Sequence, residues 1–489
     1  MNYILKQFDE PLVKFSATTD TSEPEIQILW INEEKAALLP LDLTLTPDGL
    51  SRWLRRRTIP KNRAYVHSLL AKCGLNLNRP ISIISVCKGL SLNDCYWVIE
   101  DGDTASFGKV NLYDNPFSNV LAELAFTGYG SSVRTSLLSS PEFTTNGMLR
   151  KCWRRIGGKV YLYKGGTEGA ANTGNEPYSE FYAAQIAAAM GVHAIHYGLS
   201  RWKGVLCSTC ELFTDKAYAY LPIGHLVSKG GMGAVRTYYE KMGVKFVNAL
   251  NEMLVFDAVI CNVDRHFGNF GVMVDNRTNT IVSPAPLFDH GNSLFNFAGA
   301  DAWTNETSLE EYIETLYPSV YDDFLGTAKA ALTPELREKL RHLLNFKFKK
   351  HSRYNLPEKR LRMMERQVQR AVREPDEREQ QRPQKYKADE LHRAPAQRAI
   401  GQQAVTHKVQ QRVGEEEDRD VHPVRELAEH SRQRVEKRRN RDKAQQDARR
   451  LDGEEVPERL GKHNKLHHRE HEKRDKQQLH VLPGRLVDR

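Results

Sequence analysis

What this chain of 489 residues lacks narrows it before any motif is considered. It has no uninterrupted run of about 18 apolar residues, the length a membrane-spanning helix needs. Its first residues, "MNYILKQFDEPLVKF", lack the basic stretch and apolar core of a secretion signal. Seven cysteines, an odd number at irregular spacings, argue against a disulfide framework. The single Cys207-Ser-Thr-Cys210 has no second pair and sits in an apolar, strand-like run, so ordinary buried thiols are expected there rather than a zinc or redox site. Together these absences predict a cytoplasmic protein with no membrane partner.

A concentrated charge of one sign is also missing. Of the formal +9, the segment from Asp376 to Arg489 carries +5, from 28 Lys or Arg against 23 Asp or Glu. The +4 left on the first 375 residues is too mild to name a partner, so direct nucleic-acid binding is not expected. The run Arg55-Arg56-Arg57 reads as a solvated helix face. From Asp376 onward there is no Phe, Trp or Cys, and 51 of 114 residues are charged. Such a segment cannot bury enough apolar area to offset its ordering entropy, so 376–489 is expected to be a disordered tail. The abrupt change in composition also fits an out-of-frame translation.

The remainder divides by pattern into three. Residues 1–135 are mixed α/β and have no assigned role: "LSRWLRRRTIP" and "AYVHSLLAKCGL" predict short helices, "ISIISV" and "CYWVIE" strands. In 136–220 a sheet is expected with one helix on it. "KVYLYKGG" is a β-rich run closing on two glycines, and "EPYSEFYAAQIAAAMGV" is helical sequence with Gly191 as its C-cap. Residues 221–375 are mostly helical. In "KFVNALNEMLVFDAVICN", Phe246, Leu250, Met253, Leu254, Asp257 and Ile260 recur at three- and four-residue intervals and predict one buried stripe. A helix over 360–374 is expected to close the domain.

That core helix runs into "CNVDRHFGNFG", followed by a hairpin, "GVMVDNRTNTIVSP", and then "PLFDHGN". Asp264, Asn269 and Asp289 therefore lie at the ends of one compact loop-and-hairpin unit and can converge. Phosphoryl transfer needs a divalent metal on the phosphate oxygens, a carboxylate to orient the acceptor hydroxyl, and a cation on the phosphates. An Asn oxygen and a carboxylate suit Mg²⁺, which keeps several waters. Lys164, at the end of its strand, supplies the cation, and Glu180 or Glu176 on the following helix would hold it; the spacing to Gly191 favours Glu180. Each Asp or Asn alone is a turn residue more often than a ligand. It is their joint order that singles them out.

These stretches resemble the HipA-like serine/threonine kinase family. "NVDRHFGNFG" fits its Asp-x-His-x-x-Asn loop, "PLFD" its metal motif, "YLYK" its phosphate-binding strand, "SEFYAAQIAAAMGV" its Glu-bearing helix, and "TTNGMLRK" its nucleotide loop. The resemblance spans roughly residues 141–374. It implies an α+β, bilobal protein-kinase-like fold: a small β-rich lobe and a larger helical lobe, here preceded by an extra α/β region. It further implies ATP and Mg²⁺ as cofactors and a protein substrate phosphorylated on Ser or Thr. Asp264 would be the catalytic base, with Asn269 and Asp289 as metal ligands and His266 stabilising the loop. Lys164 would contact the phosphates, backed by Glu180. Asn146, Gly147, Met148, Leu149, Arg150 and Lys151 would cover the phosphates, the backbone of Glu211, Leu212 and Phe213 would hold adenine, and Phe288 would line the nucleotide site beside Asp289. Thr144 stands where the family has an autophosphorylated Ser. Some members are toxins paired with a small DNA-binding antitoxin, which implies such a partner here. Other readings stay open at this stage: a nucleotide-binding pseudokinase module, a lipid kinase sharing "DRHxxN", or a metal-dependent hydrolase using His266 and His290.

Overall fold

In the computed structural model of the protein, residues 1–131, 140–168 and 174–380 are described. The boundary expected at residue 135 and the charged segment from 381 lie outside the described residues. The first sheet has the order β3-β2-β1-β4, from strands β1 (Asn2–Gln7), β2 (Glu10–Ala17), β3 (Ile26–Ile31) and β4 (Tyr96–Glu100), all antiparallel. Leu5, Val13, Phe15 and Val98 pack beneath it against Leu50, Trp53 and Leu54 of the helix Pro47–Arg56.

Two expectations are corrected in this region. "ISIISV" forms a helix, Pro80–Cys87, rather than a strand. Pro80 occupies the first turn, where its missing N–H costs nothing, and Ile81, Ile84 and Ile83, Cys87 fall on its buried faces. The β-branched residues suggested a strand, but helical spacing between a proline start and a left-handed Lys88 cap prevails. The arginine run is solvated only in part: Arg55 is exposed. Arg57 is buried, forked onto Asp94 and bonded to the Gly89 and Tyr96 carbonyls, while Arg56 pairs with Asp42.

The second sheet, β5-β6-β8-β7, is antiparallel and holds the β-rich run expected around Lys164. Its strands are β5 (Lys151–Ile156), β6 (Lys159–Gly165), β7 (Gly198–Trp202) and β8 (Val205–Glu211). The helix Glu176–Met190 packs on it and ends at Gly191, whose φ of 68° is the left-handed cap predicted from sequence. Three further strands, β9 (Tyr218–Pro222), β10 (Gly271–Asp275) and β11 (Thr280–Pro284), make a small antiparallel sheet in the order β11-β10-β9.

The largest core surrounds the helix Val244–Ile260, whose predicted stripe from Phe246 to Ile260 is buried throughout. Asp257 lies in that stripe with no solvent exposure, so it requires a buried partner. The last helix among the described residues, Glu358–Gln380, continues past Glu374, where the sequence reading ends it. All seven cysteines are free, and burial pushes the Cys210 thiol up to about 12 and the Cys207 thiol likewise. No helix among the described residues is long and apolar enough to cross a membrane.

Candidate active site

The helix Val244–Ile260 ends at Cys261, whose φ of 49° turns the chain back, and the loop 262–270 follows at once. His266 organises that loop through its backbone. Its N–H donates to Asp264 O, its carbonyl accepts from Asn269 N–H, and its Nδ1 accepts from Gly268 N–H. The His266 ring itself is exposed. Asn269 is buried, and its amide nitrogen donates to Asp264 O at 3.2 Å, which leaves its amide oxygen as the atom able to meet a cation. One Asp264 carboxylate oxygen accepts from Asn292 at 2.8 Å. Burial raises the Asp264 carboxyl above its usual range; His266 opposes this and the charge of Asp289 reinforces it.

Asp289 arrives through the hairpin in a left-handed conformation, φ 58°, that a non-glycine residue adopts only when its surroundings impose it. The surroundings are visible. Its own N–H donates to the Tyr197 hydroxyl at 3.0 Å, and the next N–H, of His290, donates to Glu180 Oε2 at 2.9 Å. The preceding carbonyl, of Phe288, accepts from Arg265 at 2.6 Å. Held this way, the Asp289 carboxylate meets the Lys164 ammonium, which also donates to Glu180 Oε1 at 2.8 Å.

Burial would strip the charge from Lys164, but Asp289 and Glu180 hold its pKa above the ordinary lysine value. Burial would equally raise Asp289, and Lys164 with Lys151 instead draws it well below the carboxylate range. Lys164 is thus the charged centre of the cleft. Of the two glutamates the sequence left open, Glu180 takes the lysine; Glu176 accepts the Thr167 N–H. Gly291 lies beside this pair: an added Cβ would stand 3.3 Å from Glu176 Cβ, tight enough that the helix side chain would have to shift slightly, and 3.5 Å from Lys164 Nζ and Glu180 Oε1.

The expected nucleotide loop divides in two. Asn146, Gly147 and Met148 are exposed and Leu149 is half-buried, with Gly147 at φ 91°. Lys151 is buried opposite Lys164 in the β5–β6 pair, and its ammonium donates to Asn146 O at 2.8 Å. Arg150 is not turned to this cleft. Its guanidinium lies 5.3 Å over the Tyr65 ring and pairs with Glu168. Thr144 is buried and donates to Leu90 O at 2.8 Å, so its hydroxyl is engaged.

Along the edge expected for adenine, Leu212 N–H is taken by Val160 O at 2.9 Å, and Glu211 pairs with Lys159 at the surface. Phe213 instead joins Tyr220 and Phe288 in a cluster of rings 5.3–5.5 Å apart, immediately before Asp289.

Sequence reasoning missed Arg265, Tyr197 and Asn292, and weighed His290 only as a ligand in the hydrolase reading. A signal existed for Arg265, because a carboxylate at Asp257 in an apolar helix stripe calls for a buried cation, and Arg265 lies one loop further on. His290 is fully buried, and both burial and the neighbouring guanidinium hold its ring neutral.

No family model matches the chain, and no curated protein matches it either. Two of the solved structures to which it is similar are kinases. One is the Helicobacter pylori proinflammatory kinase CtkA, at 17% identity, covering 46% of this chain and 88% of that one with a TM-score of 0.37. The other is HipA of the Shewanella oneidensis MR-1 toxin–antitoxin system, in complex with HipB and operator DNA, at 12% identity, covering 76% and 96% with a TM-score of 0.43.

Proposed function

We propose that this protein is an ATP- and magnesium-dependent kinase that transfers a phosphoryl group to a Ser or Thr hydroxyl of a protein substrate. The observation that carries the reading is one buried ammonium, Lys164, shared by Glu180 and Asp289, with Asp264 and Asn269 on the adjoining loop. Phosphoryl transfer asks the protein for positioning and charge rather than covalent chemistry, and these residues supply both. Lys164 neutralises phosphate charge while Glu180 fixes its reach. Asp264, raised by burial and oriented by Asn292, accepts the proton of the acceptor hydroxyl. The Asn269 oxygen and the Asp289 carboxylate suit Mg²⁺, which when bound neutralises phosphate charge. Met148 and Gly147 cover the phosphates, and the Phe213, Tyr220 and Phe288 rings offer an apolar face to a purine.

The hydrolase reading is weaker, because His290 Nδ1 is taken by Arg265 inside the core and His266 Nδ1 by its own loop. Transfer of labelled γ-phosphate by the full chain tests the proposal. Asp264→Ala is expected to lower transfer about 10²–10⁴-fold. Wild-type labelling no greater than that of Asp264→Ala would remove the kinase reading. The substrate class and a small DNA-binding antitoxin partner are inferred from the motif resemblance, and a cytoplasmic setting from the composition. Co-purification with the product of a neighbouring gene tests the antitoxin partner.

A further inference from the structure

Arg265 is among the largest fully buried side chains in the described protein, and its bonding pattern is unusual for an ion pair. Nε and Nη2 fork onto the two Asp257 oxygens at 2.9 and 3.0 Å. Nη1 donates to Asn269 O at 3.0 Å and to Phe288 O at 2.6 Å, and Nη2 meets His290 Nδ1 at 3.0 Å. A buried ion pair is weak evidence for stability, because desolvating both charges offsets their attraction. Stability alone is therefore a poor reason for this arrangement.

The targets suggest a better one. Asp257 belongs to the core helix and is fully buried there. The other three acceptors belong to two separate segments, the loop 262–270 and the segment 288–290. Two of them are the backbone of Asn269 and the ring of the residue after Asp289; the third is the carbonyl just before Asp289. The planar guanidinium fork holds these acceptors at set directions, which the single point charge of a lysine cannot do.

We propose that Arg265 is a positioning residue that sets the separation of Asn269 and Asp289, and so the affinity of the site for a divalent cation. The inference rests on the kinase reading, in which those two residues hold the metal. Magnesium tolerates little deviation from octahedral geometry, so loss of a residue that fixes its ligands registers first in metal affinity. The Asp289 tethers from Tyr197 and Glu180 come from other elements and do not bond the loop that carries Asn269. The Arg265 side chain bonds the backbone next to both metal ligands, beyond the single main-chain bond from Val263 N–H to Asn292 O that also joins the two segments.

The test uses the full chain and Mn²⁺ as the probe, titrated by electron paramagnetic resonance with a non-hydrolysable ATP analogue present. Four proteins are compared: wild type, Asp289→Asn, Arg265→Lys, and the double variant Asp257→Leu/Arg265→Met, which replaces the pair by apolar groups of similar size. Arg265→Lys is expected to weaken Mn²⁺ binding about 10–100-fold. Metal-free affinity for the analogue should change less than about twofold, since Lys164 and the ring cluster remain. The double variant should fold, by circular dichroism, and show the same metal loss. A folded variant of either kind that binds Mn²⁺ as wild type does would reduce Arg265 to a structural residue and overturn the inference. Should wild type and Asp289→Asn bind Mn²⁺ alike, the metal site itself is wrong, and the inference falls with the reading beneath it.

Discussion

Lys151 and Lys164 stand directly opposite each other in the β5–β6 pair, and like charges in that relation are unfavourable. The structure resolves the conflict unequally. Lys164 keeps its proton through Asp289 and Glu180, while burial, aided by Arg63 and Lys164, lowers Lys151 to about 7. A nucleotide adds negative charge to this cleft and favours protonated Lys151. Binding of Mg-ATP is therefore expected to take up protons near pH 8, where the free lysine is mostly neutral, and affinity should fall as pH rises above about 7. Calorimetry in buffers of different ionisation enthalpy checks this. Lys151→Met should abolish the uptake, and an uptake unchanged in that variant would place the titrating group elsewhere. Asp289 makes a second prediction at this scale. Asp289→Asn removes a carboxylate that both pairs with Lys164 and can meet a cation, so the Mg²⁺ dependence of ATP binding should disappear. Equal affinity with and without Mg²⁺ in the variant, against a clear difference in wild type, is the expected pattern.

Among the elements, those whose pattern is local could be read from the chain. The stripe from Phe246 to Ile260, the run "KVYLYKGG" and the Gly191 cap each carry their own periodicity or end signal, and each forms where expected. The helix Pro80–Cys87 was obscured because β-branched propensity and helical spacing disagree over eight residues, and tertiary burial decides between them. The site was legible in the same partial way. Asp264, Asn269, Lys164, Glu180 and Asp289 announce themselves by chemistry, and the structure brings them together. Tyr197 and Asn292 reach the site only through long-range folding, so no spacing reveals them. Gly271, which joins the loop to β10, likewise looks unremarkable in sequence. A Cβ there would stand 2.1 Å from Leu221 O, in the backbone of the neighbouring strand. Gly271→Ala should thus force β9 from β10 and cost about 1–3 kcal/mol of stability. Thermal unfolding checks the cost, and kcat should fall with it because the loop 262–270 loses its anchor. An unaffected melting temperature would mean that the strand pair yields without strain.

In the molecule as a whole, the N-terminal region is tied into the site rather than appended to it. The stretch after the helix Pro80–Cys87 offers its carbonyls to three parts of the candidate kinase: Leu90 to Thr144, Leu92 to Thr214, and Asn93 to Tyr220 N–H. Arg63 donates to Thr145 O, which pins the start of the segment 146–151. At the far end of the β10–β11 hairpin, the Asn279 amide donates to the Ala37 and Leu39 carbonyls at 2.9 and 2.6 Å, while Gln7 donates to Asn276 O at 2.8 Å. Many of these groups are buried, so separating the parts would leave carbonyls and amides without partners, at about 1–3 kcal/mol each. Such a molecule should unfold as one unit. Calorimetry of the full chain is expected to give a single transition for residues 1–380, and Asn279→Ala should lower it without splitting it. A chain starting at residue 136 should be insoluble or lack a cooperative transition. Were that fragment to fold and bind nucleotide with wild-type affinity, the N-terminal region would be an independent module. The contacts at Leu90, Leu92 and Asn93 would then be incidental to the site.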